Sequence, residues 1–323
     1  MTNKLPNIVV VGQGAMGLLW YHHLSQARYH LDKKKYAKIS LLSSTSPLLN
    51  SAYIYSAEYQ FTAFQQDKSQ TYPLVYSQPS DIEAADIILL CLKSYSIAGA
   101  FKEIAKNLPL NCIVILAHNG MGVFEEMVNL LPREQMILAM LTTHGCLRHE
   151  PLNIKHTGLG HTDIGILSGE FDLSEQKQLT NLLNDAQPGV TFHQDITNKQ
   201  WVKLAINCVI NPITAINNID NGEVNREEFT ELINLLLSEI IEVSNAEIGC
   251  NDITRLDFST LQKLVSKVAL ATGNNCSSMR SDILASRPTE IDYINGYIHR
   301  LGKQYNIATP ENTRLWQEVK ALD

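Results

Sequence analysis

The chain has 323 residues, 45% hydrophobic and 18% charged, with a net charge of −7, long enough for two ordinary domains with a core in each. A negative chain without a basic stripe argues against nucleic acid and anionic membrane surfaces as partners, and no window approaches the roughly 18 apolar residues of a membrane span. The polar opening MTNKLPN lacks the layout of a signal peptide, so a cytoplasmic location is expected.

The elements alternate through the first part of the chain. Apolar, β-rich runs are expected as strands at 8–12, 38–44, 86–93, 112–120 and 136–145, with helices at 15–28 and 96–107 between them. Near-continuous apolar strands alternating with helices predict a parallel sheet covered on both faces. Further strands at 161–167 and 190–195, with one helix, fill the stretch to 194. From about 196 the strands stop and long helical patterns run to the end. The expected division is therefore a cofactor domain over 1–194 and a helical substrate domain over 195–323, with the active site in the cleft between them. Six cysteines (Cys91, Cys112, Cys146, Cys208, Cys250, Cys276) show neither a C-x-x-C pair nor a His/Cys cluster; they are expected to be free and buried, with no metal site.

The run "VVVGQGAMGLLW" places Gly12, Gly14 and Gly17 after a strand and at the opening of a helix. In that context G-x-G-x-x-G predicts dinucleotide binding: one glycine for the turn, one for close approach of the pyrophosphate, one for packing helix on strand. The loop residues Gly12, Gln13, Gly14, Ala15, Met16 and Gly17 form the cofactor set. The second strand ends in Ser43, Ser44 and Thr45 with no carboxylate, which favours NADP(H) over NAD(H). Lys93 and Asn119 follow strands, where open α/β sheets bind ligands; the alternatives are a solvated lysine and an Asn-Gly turn. His118 and His144 also lie at strand ends, without a carboxylate at close spacing.

In the second part, Lys203, Asn207 and Asn211 recur every fourth residue on an otherwise apolar helix and so share one stripe. An ammonium and two amides are costly in an apolar core, which places the stripe on a polar cleft; a snorkelling lysine with two loop-bonded asparagines is the alternative. Pro212 is expected to kink or end that helix, presenting Asn211 and the later loop with Asn221. Ser277 and Ser278 read as a helix cap or as ligand contacts, and Glu290 as a first-turn carboxylate.

Together, "GQGAMG", "LKSYS", "HNGMG", "KLAINCVINPITAI", "NGE", "SSM", "TEIDYINGYI" and "PENTRL" resemble the ketopantoate reductases, in order and over residues 7 to 319. The resemblance implies a Rossmann-type doubly wound α/β domain followed by an all-helical domain like that of 6-phosphogluconate dehydrogenases. It implies reduction of 2-dehydropantoate to (R)-pantoate with NADPH, on the route to pantothenate and coenzyme A. By the same resemblance Lys203 matches the general acid and Glu290 the glutamate that binds the substrate hydroxyl. Asn119, Asn207, Asn211 and Ser278, with Asn221 and Asp282 as weaker matches, correspond to substrate-holding positions, and Lys93 to a lysine at the nicotinamide end. Ser43 stands near where many members carry an arginine, and the 28–38 connection is longer than usual. The expected partners are a small-molecule substrate and, at most, a second copy in a homodimer. Two rivals remain at this stage: another 2-oxo acid or hydroxyacyl reductase, and a non-catalytic NADP(H)-binding sensor.

Overall fold

A computed structural model describes residues 5–27, 37–43, 56–131, 135–249 and 255–323. Lys33 to Lys35 and most of the 28–38 connection, Ser44 and Thr45, and Cys250 lie outside the described residues. The chain divides into two compact units, Met1–His118 with Glu125–Ile196, and Asn119–Phe124 with Thr197–Asp323.

The first unit is built on β1 (Asn7–Val11), α1 (Ala15–Gln26), β2 (Lys38–Leu42), β3 (Ser56–Thr62), β4 (Gln70–Val75), α2 (Pro79–Glu83), β5 (Ile87–Leu90), α3 (Ser94–Ile104), β6 (Ile113–Leu116), α4 (Val123–Met127), β7 (Ile137–Thr142), β8 (Gly145–Glu150), β9 (Asn153–Gly158), β10 (Thr162–Ser168), α5 (Leu173–Ala186) and β11 (Val190–His193); of α4, Val123 and Phe124 belong to the second unit. A seven-stranded sheet runs in the order β11-β10-β7-β6-β5-β1-β2. Its central strands β1 and β5 are apolar and buried on both faces, as expected for a doubly covered sheet. Every neighbouring pair is parallel except β7 with β10. The reversal follows from connectivity: the chain leaves β7, forms the β8–β9 hairpin and returns from the same end.

The strand expected over 136–145 corresponds to β7, and the β8–β9 hairpin that follows it lies in a different sheet. A second, four-stranded sheet has the order β4-β3-β9-β8, with β3 parallel to β9. Along β3, Tyr59 and Phe61 are buried while Glu58 and Gln60 are exposed, the period-two signature of a sheet with one covered face. The cover is α1. His22 stacks on Phe61 with ring centroids 3.6 Å apart and hydrogen-bonds the Tyr59 hydroxyl at 2.8 Å. A helix enclosed on several sides is apolar nearly all round, and Leu18, Leu19, Trp20, Tyr21 and Leu24 are all buried.

Four histidines meet beneath this sheet. His156 lies 5.6 Å from His23 and 5.4 Å from His144 between ring centroids. Burial lowers His22 to about 3 and His23 and His144 to about 4, and lowers His156 as well, so all four are neutral. His144 accepts the Gly160 N–H at 3.1 Å on Nδ1, which makes it a core side chain.

The second unit is helical: α6 (Thr197–Asn217), α7 (Thr230–Ile248), α8 (Phe258–Ala271), α9 (Ser278–Leu284), α10 (Asn295–Tyr305) and α11 (Pro310–Lys320). Its core gathers around α6, where Trp201, Leu204, Ala205, Cys208, Val209 and Ile213 are buried. Pro212 does not end α6, which continues to Asn217. The ring removes the N–H that would bond the Cys208 carbonyl four residues back, and the Asn295 side-chain amide donates to that carbonyl instead, at 3.0 Å. Asn295 also donates to Asn312 Oδ1 at 3.0 Å, and Asn312 Nδ2 to Glu239 Oε2 at 2.8 Å. The Glu239 carboxylate further accepts the Glu311 and Asn312 N–H groups that open α11, a favourable place for a negative charge. The interior proline is thus tolerated because a buried polar chain replaces its missing donor.

Of the cysteines, Cys91, Cys112 and Cys208 are buried, Cys146 is half-buried, and Cys276 is exposed, contrary to expectation. Cys276 directly precedes the α9 cap, where the chain turns at the surface. Among the described residues no helix is long and apolar enough to cross a membrane, and no group of three or more His, Cys, Asp or Glu could hold a metal ion.

Candidate active site

Each unit carries candidate residues of its own. In the first, the loop from β1 to α1 gives its three glycines three different environments. Gly12 adopts φ +112°, and a Cβ there would meet the Cys91 carbonyl and, at 2.9 Å, Leu92 Cδ2. A Cβ on Gly17 would strike the Gly12 carbonyl. A Cβ on Gly14, by contrast, would meet nothing within 4 Å. The chain itself does not require a glycine at 14, so the open space fits a ligand that approaches the backbone.

Gly14 is also the N-cap of α1, which has neither a side-chain cap nor an acidic residue in its first turn. The opening N–H groups of a helix have no intrahelical partner and favour an anion. Both features fit the diphosphate of a dinucleotide. Gly12 N–H donates to the Leu42 carbonyl at 2.8 Å, which ties the loop to the end of β2, where Ser43 follows half-buried. Lys93 is half-buried after β5 and occupies the N-cap of α3. Cys91, packed against the loop, has its thiol pushed up to about 12 by burial and is chemically inert there.

In the second unit, Lys203, Asn207 and Asn211 lie on α6 as their spacing predicts. Lys203 and Asn207 are half-buried, and Asn211 is only 7% exposed. The Asn207 and Asn211 side chains make no hydrogen bond to a described residue. Buried amides are normally satisfied, so a buried, unengaged one is fitted to a polar ligand.

Asn119 and Glu290, 171 residues apart, are brought together: Asn119 Nδ2 donates to Glu290 Oε2 at 3.4 Å. The backbone enforces this. Gly120, at φ +81°, lies so close to the Tyr293 carbonyl that a Cβ would overlap it, and Met121 N–H donates to the same oxygen at 2.8 Å. Glu290 is 5% exposed. Its neighbour Thr289 donates its N–H and hydroxyl to the Asp323 carboxylate at 3.2 and 3.0 Å. Nothing in the sequence pattern pointed to that anchor.

The remaining nominated residues are placed differently. Ser277 is the α9 cap and accepts the Arg280 N–H at 3.1 Å, while Ser278 is exposed in the first turn. Asp282, buried on α9, accepts from Arg287 Nε at 3.0 Å. Asn221 donates to Thr272 Oγ1 at 3.0 Å, and its Oδ1 is buried without a partner.

Comparison with known proteins adds to this geometry. A family model described as "Ketopantoate reductase PanE/ApbA" matches residues 8–169, and its C-terminal counterpart matches residues 195–323. The 2-dehydropantoate 2-reductase of Vibrio cholerae is 33% identical over 321 residues, covering 98% of each chain. Among solved structures, a 2-dehydropantoate 2-reductase from Geobacter metallireducens superposes with a TM-score of 0.80 at 21% identity, over 98% of this chain and 99% of that one. A D-mandelate dehydrogenase bound to NADH and anilino(oxo)acetate gives 0.82 at 22% identity over 98% of each chain. At those identities the structures show a shared fold.

Proposed function

Because the chain belongs to the ketopantoate reductase family, we propose that it reduces 2-dehydropantoate to (R)-pantoate with NADPH, as a cytoplasmic homodimer. The observation that carries the reading is the α6 stripe, in which an ammonium is followed by two amides that no described side chain or backbone group engages. Gly12 to Gly17 with Ser43, Lys93 and Asn119 would hold the cofactor, which would supply a hydride to the ketone carbon when bound.

Lys203 donates a proton to the ketone oxygen as negative charge grows there. A cation at that oxygen stabilises the transition state more than the neutral ketone, which is what raises turnover. Asn207 and Asn211 hold the substrate's polar atoms, and Ser278, Asn221 and Asp282 border them. Glu290, oriented by Asn119, accepts from the substrate hydroxyl. The preference for NADPH is supported by the β2 end, where Leu42 and Ser43 offer no carboxylate to repel a 2′-phosphate. In this reading residues 1–194 bind the cofactor and 195–323 the substrate, with 119–124 serving the substrate side.

The test follows cofactor absorbance with 2-dehydropantoate and NADPH, then with NADH, then with 2-oxoisovalerate, which lacks the hydroxymethyl group. Fast turnover with the first pair alone is expected. Equal turnover of 2-oxoisovalerate would remove the role given to Glu290, and no turnover with any pair would refute the reductase reading. Light scattering reads the dimer separately.

A further inference from the structure

β8 is the outer strand of the small sheet, and it runs past the N-terminus of α1. Cys146 Sγ lies 3.4 Å from the Ala15 carbonyl, and Arg148 Nη1 lies 3.3 Å from the Gln13 carbonyl. Residues two apart on a strand point to the same face, so Cys146 and Arg148 both face the glycine loop while Leu147 between them is 46% exposed. Arg148 is itself exposed, and the Gln13 carbonyl is its one hydrogen-bond partner among the described residues; no described carboxylate pairs with it. A guanidinium with five donors is thus held by one neutral acceptor, beside an uncapped helix start with no acid in its first turn.

We propose that Arg148 is a ligand of the dinucleotide's diphosphate, a guanidinium at the mouth of the glycine loop that turns from the Gln13 carbonyl onto the phosphate oxygens. The proposal rests on the reading of that loop as the cofactor site. Sheet order favours the diphosphate over a ribose 2′-phosphate. The 2′ position is read at the end of β2, and β2 joins the small sheet on its opposite side, through the bridge of Leu41 with Tyr76 just after β4. Order β4-β3-β9-β8 then puts β8 three strand spacings away, about 14 Å. An arginine also suits the geometry, since its planar fork engages phosphate oxygens in pairs.

The experiment is a fluorescence titration of NADPH, and separately of NADH, into the full chain without substrate, for wild type, Arg148→Gln and Arg148→Lys. Loss of one charge-assisted contact weakens binding by about tenfold to a hundredfold. The expected result is such a loss for both cofactors in Arg148→Gln and partial recovery in Arg148→Lys, with the ligand-free urea midpoint unchanged. Affinities within twofold of wild type for both cofactors would overturn the proposal. A loss confined to NADPH would also overturn it, and assign the guanidinium to the 2′-phosphate instead. If Arg148→Gln fails to fold, the Arg148→Lys titration decides, because retained charge without the fork predicts an intermediate loss. Wild-type protein that binds neither cofactor would refute the cofactor reading itself, an outcome distinct from all of these.

Discussion

Asn295 and Pro212 make a sharp test of the helical unit. Asn295→Leu keeps the side chain's approximate size and removes both donors of Nδ2, which serve the Cys208 carbonyl and Asn312 Oδ1 at 3.0 Å each. Each buried acceptor left without a partner costs about 1–3 kcal/mol, so the two cost about 2–6 kcal/mol. Asn295 Oδ1 is itself buried and unpartnered, and its removal returns about 1–2 kcal/mol, leaving a net loss of up to about 5 kcal/mol, centred on about 2.5 kcal/mol. Pro212→Ala in the same chain supplies an N–H at position 212 to the Cys208 carbonyl, satisfying one of the two acceptors. The two substitutions should therefore couple by about 1–2 kcal/mol in the stabilising direction, read from urea midpoints in a double-mutant cycle. Additive effects, within about 0.5 kcal/mol, would refute the assignment of Asn295 as the replacement donor.

Three further outcomes are expected. Gly14→Ala, whose Cβ meets open space, should lower stability by no more than about 1 kcal/mol while sharply weakening NADPH binding; Gly17→Ala should destabilise by about 1–3 kcal/mol or more because its Cβ strikes Gly12, and a reversed order in thermal melts would break the argument. Stability should fall with acid between pH 6.5 and about 4, the window set by His23 and His144, with His22 extending it to about 3. Below 6.5 the unfolded chain takes up protons these folded histidines refuse, so each adds a slope of up to about 1.4 kcal/mol per pH unit; urea midpoints that stay flat from pH 7 to 5 would contradict it. Lys203→Ala should lose most turnover with cofactor affinity nearly unchanged, and loss of NADPH binding in its titration would make Lys203 a cofactor ligand.

The glycine loop and the α6 stripe were legible in the sequence because each is a local pattern: three glycines at fixed offsets after a strand, three polar residues at helical spacing. The Asn119–Glu290 contact was legible only as two separate nominations, since nothing local says that Gly120 will lie against the Tyr293 carbonyl. Pro212 was read as a lost donor that kinks or ends the helix; it does not end it, because a compensating amide reaches the Cys208 carbonyl from 87 residues away in sequence. The small sheet was missed for a related reason. β3 and β4 show their alternation, but β8, which reads GCLRHE, carries no apolar run of its own. Arg148 was missed with it: an isolated arginine on an unrecognised edge strand carries no pattern.

The parallel pairing of β3 with β9 bears on how the chain is made as well as on how it rests. Gln60 pairs with Asn153, so when β3 has been synthesised its second neighbour is still about 90 residues away, or roughly 5 to 20 seconds at ordinary elongation rates. During that interval the β3–β4 hairpin can lay Tyr59 and Phe61 on α1, but the other edge of β3 stays open, and an unpaired strand edge is a template for another chain. Protein lost to aggregation during synthesis would then be lost at this edge, and raising the elongation rate over residues 63–152 would recover more of it than any change at the active site.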